Sequence, residues 1–201
     1  FVENIDFNKS NINEILNGYD DKLVIEEKLY GEEYSLMTLV DKNNNLIHFP
    51  PVRDYKRLED NDCGPNTGGM GCVIGSNNFL PFLSKDDVKE SESINEKVIN
   101  EISNYSGILY GSYIKTQKGI KIIEYNCRFG DPECQTLLRD LKTDLLDIFL
   151  ATIEDELSKI KISKYNMKVI CVVLASLGYP GNYQKNKQLK NLDKVKKSNN
   201  I

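Results

Sequence analysis

Along the first twenty residues apolar positions are scattered among acids and asparagines; Asn11 to Leu16 reads as the end of a helix stopped by Gly18. Leu23-Val24-Ile25 reads as the start of a strand. Tyr34 to Val40 alternates as a second strand, Asp41 to Asn45 are turn formers, and Leu46 to Phe49 returns until Pro50-Pro51. From Arg53 to Ser76 apolar periodicity is lost and glycines accumulate, which predicts a long ordered loop. Helical spacing follows from Ser84 to Tyr105: Val88, Ile94, Val98, Ile99 and Ile102 fall on one face, and Ser84 with Asp87 has the form of an N-terminal cap. Ile108 to Ile114 and Ile120 to Tyr125 are strands joined at Lys118-Gly119. Asp131-Pro132 opens a helix, with Asp at the cap and Pro at the first helical position. Leu137, Leu138, Leu141, Leu145, Leu146 and Phe149 supply its buried face, with a break near Thr143. Lys168 to Ala175 is a strand, Gly178-Tyr179-Pro180-Gly181 a turn, and the tail beyond Lys185 a loose lysine- and asparagine-rich segment. Antiparallel strands with helices on one side predict an α+β fold.

Composition narrows the classes. A chain of 201 residues, 40% hydrophobic, can build one core or a core plus part of a second domain, and is not disordered. With Lys+Arg at 26 against 30 Asp+Glu, the net charge of −4 argues against nucleic acid as a partner and requires any phosphate site to rely on local groups. The five cysteines form no Cys-x-x-Cys pair, so reduced thiols in the cytoplasm are expected rather than a disulfide frame or a zinc site. No apolar run approaches the ~18 residues of a membrane span, and the opening residues lack a signal-peptide pattern. A start at Phe1 and an end at Ile201 with no closing element suggest a chain cut at both ends.

Four stretches could carry chemistry. If the strand ending in Glu124-Tyr125-Asn126-Cys127-Arg128 persists, Glu124, Asn126 and Arg128 share a face. A carboxylate and a carboxamide oxygen there suit magnesium, and the guanidinium suits a phosphate or carboxylate; an ordinary solvated sheet face reads the same way. Gly64-Pro65-Asn66-Thr67-Gly68-Gly69-Met70-Gly71 could turn backbone N–H groups onto an anion, or be a surface loop; it lacks the Gly-Lys-Thr ending of a Walker loop. Arg128 to Glu133 packs both signs of charge before a helix start, where Asp131 is a cap or a contact to a substrate amine. Glu26 to Glu33 could present a hinge to an adenine edge and a carboxylate to a ribose, or simply join strands. His48, the single histidine, sits in an apolar run and reads as structural, so Ser–His or Cys–His catalysis is set aside.

Taken together, VIEEKLYGEEYSL, RDYKRLEDNDCGPNTGGMG, GILYGSYIKT with KIIEYNCRFGDPECQ, and VICVVLASLGYPGNY resemble the glycinamide ribonucleotide synthetase (phosphoribosylamine–glycine ligase) family of the ATP-grasp superfamily. The octet GPNTGGMG and the run EYNCRFGDPE carry most of this. The resemblance implies the C-terminal ATP-grasp subdomain over residues 1–163 and the beginning of a small C-terminal domain over 164–201. It implies ATP-dependent ligation of glycine to 5-phosphoribosylamine through a glycyl phosphate, in purine biosynthesis, with ATP as co-substrate and Mg2+ or Mn2+ as cofactor. Glu124 and Asn126 match the metal ligands and Arg128 the arginine near the transferred phosphate. Glu26, Lys28, Leu29 and Glu33 match the adenine and ribose contacts. Asp54, Lys56, Gly68, Gly69, Asp131 and Glu133 match the region that holds glycine and phosphoribosylamine.

The resemblance also allows fusion to other purine-pathway domains. It implies that the phosphate-binding lysines and a further glycine-rich loop lie upstream of Phe1, so this chain alone should turn over little or nothing. The pattern departs at Arg53-Asp54-Tyr55-Lys56-Arg57, where the family usually has Gln-Asp-His-Lys-Arg, and at Cys134, where threonine is usual. Another ATP-grasp carboxylate–amine ligase and a non-catalytic nucleotide-binding remnant are the alternatives.

Overall fold

The computed structural model describes residues 24–195, so the helix expected before Gly18 and Leu23 of the first predicted strand lie outside the described residues. Val24 and Ile25, expected in that strand, stand in an exposed connection without strand pairing. Strand pairing starts one residue after Gly31, where any Cβ would overlap the carbonyl of Lys115, so only glycine lets the chain enter the sheet here.

β1 (Glu32–Val40) turns back into β2 (Leu46–His48). β3 (Arg53–Asp54), β4 (Arg57–Glu59), β5 (Cys63–Asn66) and β6 (Gly71–Ile74) occupy the stretch predicted as a loop. These strands are short and rich in glycine and charge, so they leave no period-two signal. α1 (Lys85–Glu101) leads to β7 (Gly107–Thr116) and β8 (Gly119–Asn126). Then come α2 (Glu133–Asp140), α3 (Leu145–Ile153), β9 (Val169–Val172) and a one-turn α4 (Leu192–Val195) in the tail. The main sheet runs β2-β1-β7-β8, all antiparallel; a second sheet runs β3-β6-β9, and β4 pairs with β5.

Both faces of β1 are covered, which explains its nearly continuous run of buried residues from Tyr34. On one face Tyr34, Leu36, Tyr113 and Ile120 pack with Leu80 and Leu83, while Val40 and Leu109 pack with Ile99 of α1. On the other, Met37, Leu39, Ile108 and Tyr110 meet Val52, Cys72, Leu137 and Ile148. Cys72 of β6 stands opposite Cys171 of β9, so the strand near residue 170 joins this same core, although it is shorter than its apolar run.

α1 has the predicted cap: Ser84 Oγ accepts from Asp87 N–H at 3.1 Å and Asp87 Oδ2 accepts from Ser84 N–H at 2.7 Å. The helix stops at Glu101, short of Tyr105: Ile102 is already extended (φ −101, ψ 111), and Asn104 beyond it turns left-handed (φ 59). Its inner face also carries the polar Ser91 and Asn95, each 0% exposed. Asn95 Nδ2 donates to Thr38 Oγ1 at 2.8 Å, and Thr38 meets His48 Nδ1 at 2.8 Å. His48 is thus held in a buried polar chain on the core side of β2.

The second helical stretch departs from expectation at both ends. Pro132, not Asp131, occupies the cap, because the Asp131 carboxylate accepts from Gln135 Nε2 at 2.7 Å rather than from a helix N–H. The break near Thr143 does separate α2 from α3, and it resets the helical phase. Ile148 and Thr152 turn inward on α3, while Leu146 and Phe149 are 63% and 36% exposed.

The β1–β2 turn is built on Asp41, which is fully buried. Its carboxylate accepts from the N–H groups of Asn43 (3.0 Å), Asn45 (2.9 Å) and Leu157 (3.1 Å), and from Asn45 Nδ2 (2.9 Å). Removing a buried acceptor strands every donor that used it. Asp41→Ala is therefore expected to lower the unfolding free energy by about 3 kcal/mol, read from the urea midpoint. A shift under about 0.5 kcal/mol would mean the turn closes without it.

Candidate functional site

One face of the main sheet gathers the chemistry. Cross-strand partners share a face, and the register places Ser35 of β1 opposite Ser112 of β7, and Ser112 opposite Glu124 of β8. Tyr110 stands opposite Asn126 in the same way. A bulge beside Ser112 and Tyr113 re-aims β8 just before Glu124. Glu124 and Asn126 are brought together as expected, with Asn126 Nδ2 donating to Glu124 Oε1 at 3.0 Å. A half-turn of the amide would present Oδ1 beside the carboxylate. Glu124 is exposed and Asn126 half-buried, and two hard oxygens on an open face fit a magnesium ion that keeps its remaining positions for water and phosphate. Among the described residues no group of three or more His, Cys, Asp or Glu could hold a metal.

β8 ends at Asn126, so Arg128 is not on the strand face with its neighbours. It is exposed, and its Nη1 donates to the carbonyl of Phe129 at 3.0 Å. Glu26 and Lys28 are exposed and Leu29 half-buried on the connection into β1; the Lys28 ammonium lies 5.0 Å from the centre of the Tyr30 ring. Glu33, on the site face of β1, accepts from Lys56 Nζ at 3.0 Å.

The glycine octet reaches the site through close approach. Gly69 is buried with φ +113, and a Cβ on it would stand 2.5 Å from Pro132 Cδ and 3.0 Å from Asp54 Oδ1. Only glycine can hold this position. Three separate segments, Asp54, Gly69 and Pro132–Glu133, therefore touch. The loop N–H groups are already engaged within the fold. Thr67 donates to the Lys56 carbonyl (2.7 Å), Gly68 to Tyr179 Oη (3.0 Å), Gly69 to Thr67 Oγ1 (3.1 Å) and Met70 to the Tyr55 carbonyl (2.8 Å).

The two carboxyl groups here differ. Glu133 is 2% exposed, and its Oε1 accepts from Tyr110 Oη at 2.6 Å and lies 3.4 Å from Ser35 Oγ. Asp54 is half-buried, and its Oδ1 is shielded from solvent with no hydrogen-bond partner. Burial first, and then the Glu133 charge, push the Asp54 carboxyl up to about 7 against the pull of Lys56. Asp131 is exposed and faces Gln135. Glu33, Ser35, Asp54, Lys56, Tyr110 and Ser112 line one small cleft. Tyr110, Ser35, Ser112 and Tyr179 were not singled out as site residues from the sequence. The register of β7 against β8 was the available signal for Tyr110 and Ser112; nothing local marked Ser35 or Tyr179.

The departures at Arg53 and Tyr55 fit together. The Arg53 guanidinium lies 5.2 Å from the ring centres of both Tyr55 and Phe82, and its Nη1 meets Glu32 Oε2 at 2.8 Å. Cys134 is half-buried on α2, where burial pushes its thiol up.

Comparison with known proteins agrees with this geometry. Residues 2–134 match the family described as phosphoribosylglycinamide synthetase, ATP-grasp (A) domain. A phosphoribosylamine–glycine ligase of Methanococcus maripaludis is 45% identical over 172 residues, 84% of this chain and 38% of that protein. One from Caldanaerobacter subterraneus is 39% identical over 183 residues, 89% of this chain and 43% of that protein. The crystal structure of the Thermotoga maritima phosphoribosylamine–glycine ligase aligns with a TM-score of 0.61 at 33% identity, covering 79% of this chain and 40% of that one. A phosphoribosylglycinamide synthetase from Anaerococcus prevotii shares the fold, with a TM-score of 0.56 at 15% identity over 75% of this chain and 36% of that one. The chain thus spans about two fifths of the length of the curated relatives it matches. With two thirds of its residues inside the matched domain, it belongs to the phosphoribosylglycinamide synthetase ATP-grasp (A) domain family.

Proposed function

We propose that this chain forms the metal- and substrate-facing part of an ATP-dependent ligase that joins glycine to 5-phosphoribosylamine. The products are glycinamide ribonucleotide, ADP and phosphate, a step of purine biosynthesis. The reading is carried by the meeting of Asp54, Gly69 and Pro132–Glu133 at the sheet face that bears Glu124 and Asn126.

In this reading Glu26 faces the adenine amine, Lys28 and Leu29 offer hinge backbone groups, and Glu33 takes a ribose hydroxyl. Glu33 now pairs with Lys56, and an exposed pair of that kind contributes at most about 1 kcal/mol, so a ribose can displace the lysine. Lys56 is then free for a substrate anion. Glu124 and Asn126 would hold Mg2+ or Mn2+, which neutralises phosphate charge when bound. Arg128, exposed at the strand end, would take the transferred phosphate. Asp54, Gly68, Gly69, Asp131 and Glu133 form the wall against which glycine and phosphoribosylamine are placed. No protein nucleophile is required: the carboxylate of glycine takes the phosphoryl group, and the amine of phosphoribosylamine displaces it. Orientation and charge neutralisation do the work. Among the described residues no helix is long and apolar enough to cross a membrane. The reduced thiols of all five cysteines suit a cytoplasmic setting. Fusion to further purine-pathway domains is compatible with this reading.

In a complete ligase carrying this chain, Glu124→Ala is expected to lower glycine-dependent ADP release on the order of a hundredfold, as is chelation of the metal. The 201-residue chain alone is expected to release almost no ADP. A glycine-dependent signal from it, abolished by Glu124→Ala, would contradict that. ADP release in the complete protein that ignores glycine and answers to another carboxylate would point to a different ATP-grasp ligase. Magnesium-dependent ATP binding without turnover would point to a non-catalytic remnant.

Asp54 gives a pH prediction. Its folded-state value, about 7, lies above the ordinary 3.8, so the folded chain holds a proton that the unfolded chain releases. The contribution is favourable below pH 3.8 and is lost as pH rises towards 7. Asp54→Asn should therefore raise the urea midpoint at pH 8, and its advantage should vanish near pH 3.8. An equal effect at both pH values would show that Asp54 does not titrate in this window.

A further inference from the structure

The second half of the glycine octet is held from outside, and the hold comes from β9 and the turn that follows it. Gly68 N–H donates to Tyr179 Oη at 3.0 Å, across 111 residues of chain. Two residues on, the Met70 carbonyl accepts from Val173 N–H at 2.9 Å. Gly71 then stands opposite Val172, and a Cβ on it would lie 2.4 Å from the Cys171 carbonyl, so glycine is what lets β9 come this close. The neighbouring octet amides are tied nearer home. Those of Thr67 and Met70 reach the carbonyls of Lys56 and Tyr55, and that of Gly69 reaches Thr67 Oγ1. From Thr67 to Met70, Gly68 is the residue whose N–H is met by a side chain distant in sequence.

Tyr179 is itself fixed in place. Its N–H donates to the Ser176 carbonyl at 3.1 Å, which closes a turn six residues beyond Val173. The Tyr183 ring meets its ring edge-on, with centres 5.5 Å apart. The tyrosine is half-buried, and its hydroxyl would stand 3.3 Å from a Cβ at position 68. The octet is thereby gripped on two sides: Gly69 is wedged against Pro132 and Asp54, and the residue before it is tied to Tyr179. Gly68 is exposed, so water would meet its N–H if the tyrosine oxygen were lost. The bond therefore fixes the position of the loop more than it stabilises the fold.

We propose that Tyr179 is a positioning residue for the glycine octet: its hydroxyl holds Gly68 so that Gly69 stays against Asp54 and Pro132 and the wall they form keeps its shape. The turn after β9 thereby becomes part of the working site, although it lies far from the octet in sequence. The use of that wall by glycine and 5-phosphoribosylamine rests on the functional reading above; the grip of Tyr179 on Gly68 rests on the geometry alone. Because the tyrosine acts through the loop, its loss weakens binding of the substrates placed on the wall. The ATP side, on the entry to β1 and on β8, is left as it is.

The test compares Tyr179→Phe, which retains the ring and its packing on Tyr183 and removes only the acceptor, with Tyr183→Phe, which removes a hydroxyl from the same turn. In this chain, solvent exchange of the Gly68 amide, read by NMR, should accelerate about threefold or more in Tyr179→Phe. In a complete ligase carrying this chain, the same variant should raise KM for glycine, for 5-phosphoribosylamine or for both by about threefold to tenfold, with kcat and KM for ATP within about twofold of their starting values. Tyr183→Phe should change none of these. Unaltered Gly68 exchange in Tyr179→Phe would mean that the octet holds itself, and the proposal fails. Faster exchange with KM for glycine and 5-phosphoribosylamine unchanged, or with kcat and KM for ATP worsening in step, would make Tyr179 a packing residue, and the proposal fails as well. It also fails if Tyr183→Phe responds as strongly as Tyr179→Phe. The exchange measurement needs no turnover. If exchange accelerates as expected but glycine is not a substrate, the functional reading falls and the hold of Tyr179 on the octet stands.

Discussion

The antiparallel ladder between β1 and β7 is the constraint from which the rest of the structure follows. It runs from Glu32 opposite Lys115 to Val40 opposite Gly107 without a break in register. Because both faces are covered, a slip of one residue would exchange two buried sets that are not interchangeable. One face stacks Tyr34 on Tyr113, ring centres 5.6 Å apart, and presents Thr38 to Asn95 of α1. The other presents Ser35, Tyr110 and Ser112 to the cleft. This register satisfies the buried hydroxyls on the helix side while leaving Tyr110 and Ser35 on the other to meet Glu133.

The site is then a matter of how closely backbones can approach that ladder. Gly31 admits the chain beside Lys115, and Gly69 lets the octet settle against Pro132 and Asp54. Glycine here serves contact more than anion binding, since the N–H groups from Thr67 to Met70 are already paired. The unusual Arg53 and Tyr55 are coupled for a similar reason. The guanidinium stacks on the tyrosine ring and reaches Glu32, so the pair ties β3 to the entry of β1. Histidine at 55 would offer that cation a poorer face. The two replacements therefore read as a single adjustment of the wall, one that leaves Asp54 in place between them.

Several parts of this were legible in the sequence because their causes are local. The Ser84–Asp87 cap, the Asp41–Asn45 turn, the β7–β8 hairpin and the pairing of Glu124 with Asn126 follow from spacing within a few residues. The failures share the opposite cause. β3 to β6 are held by partners distant in sequence, so their own residues carry no strand pattern. The inward turn of Ile148 instead of Leu146 follows from a change of phase at Thr143, which a single apolar stripe drawn through both helices cannot register. Ser91 and Asn95 lie on the buried face of α1 because partners on the sheet satisfy them, and polarity alone would place them outside.

The sequence by itself determined the α+β class, the two motifs that mark the family, and the residue types able to hold a metal and a phosphate. Those depend on side-chain chemistry and on periods of two and 3.6 residues. Only the tertiary structure decided that Glu133 comes close enough to act on Asp54, that Glu133 is enclosed and hydrogen-bonded by Tyr110, and that Asp54 has an unpartnered oxygen. Burial and charge coupling depend on distance in space, and seventy-odd residues of chain separate the two carboxyl groups that the fold brings together.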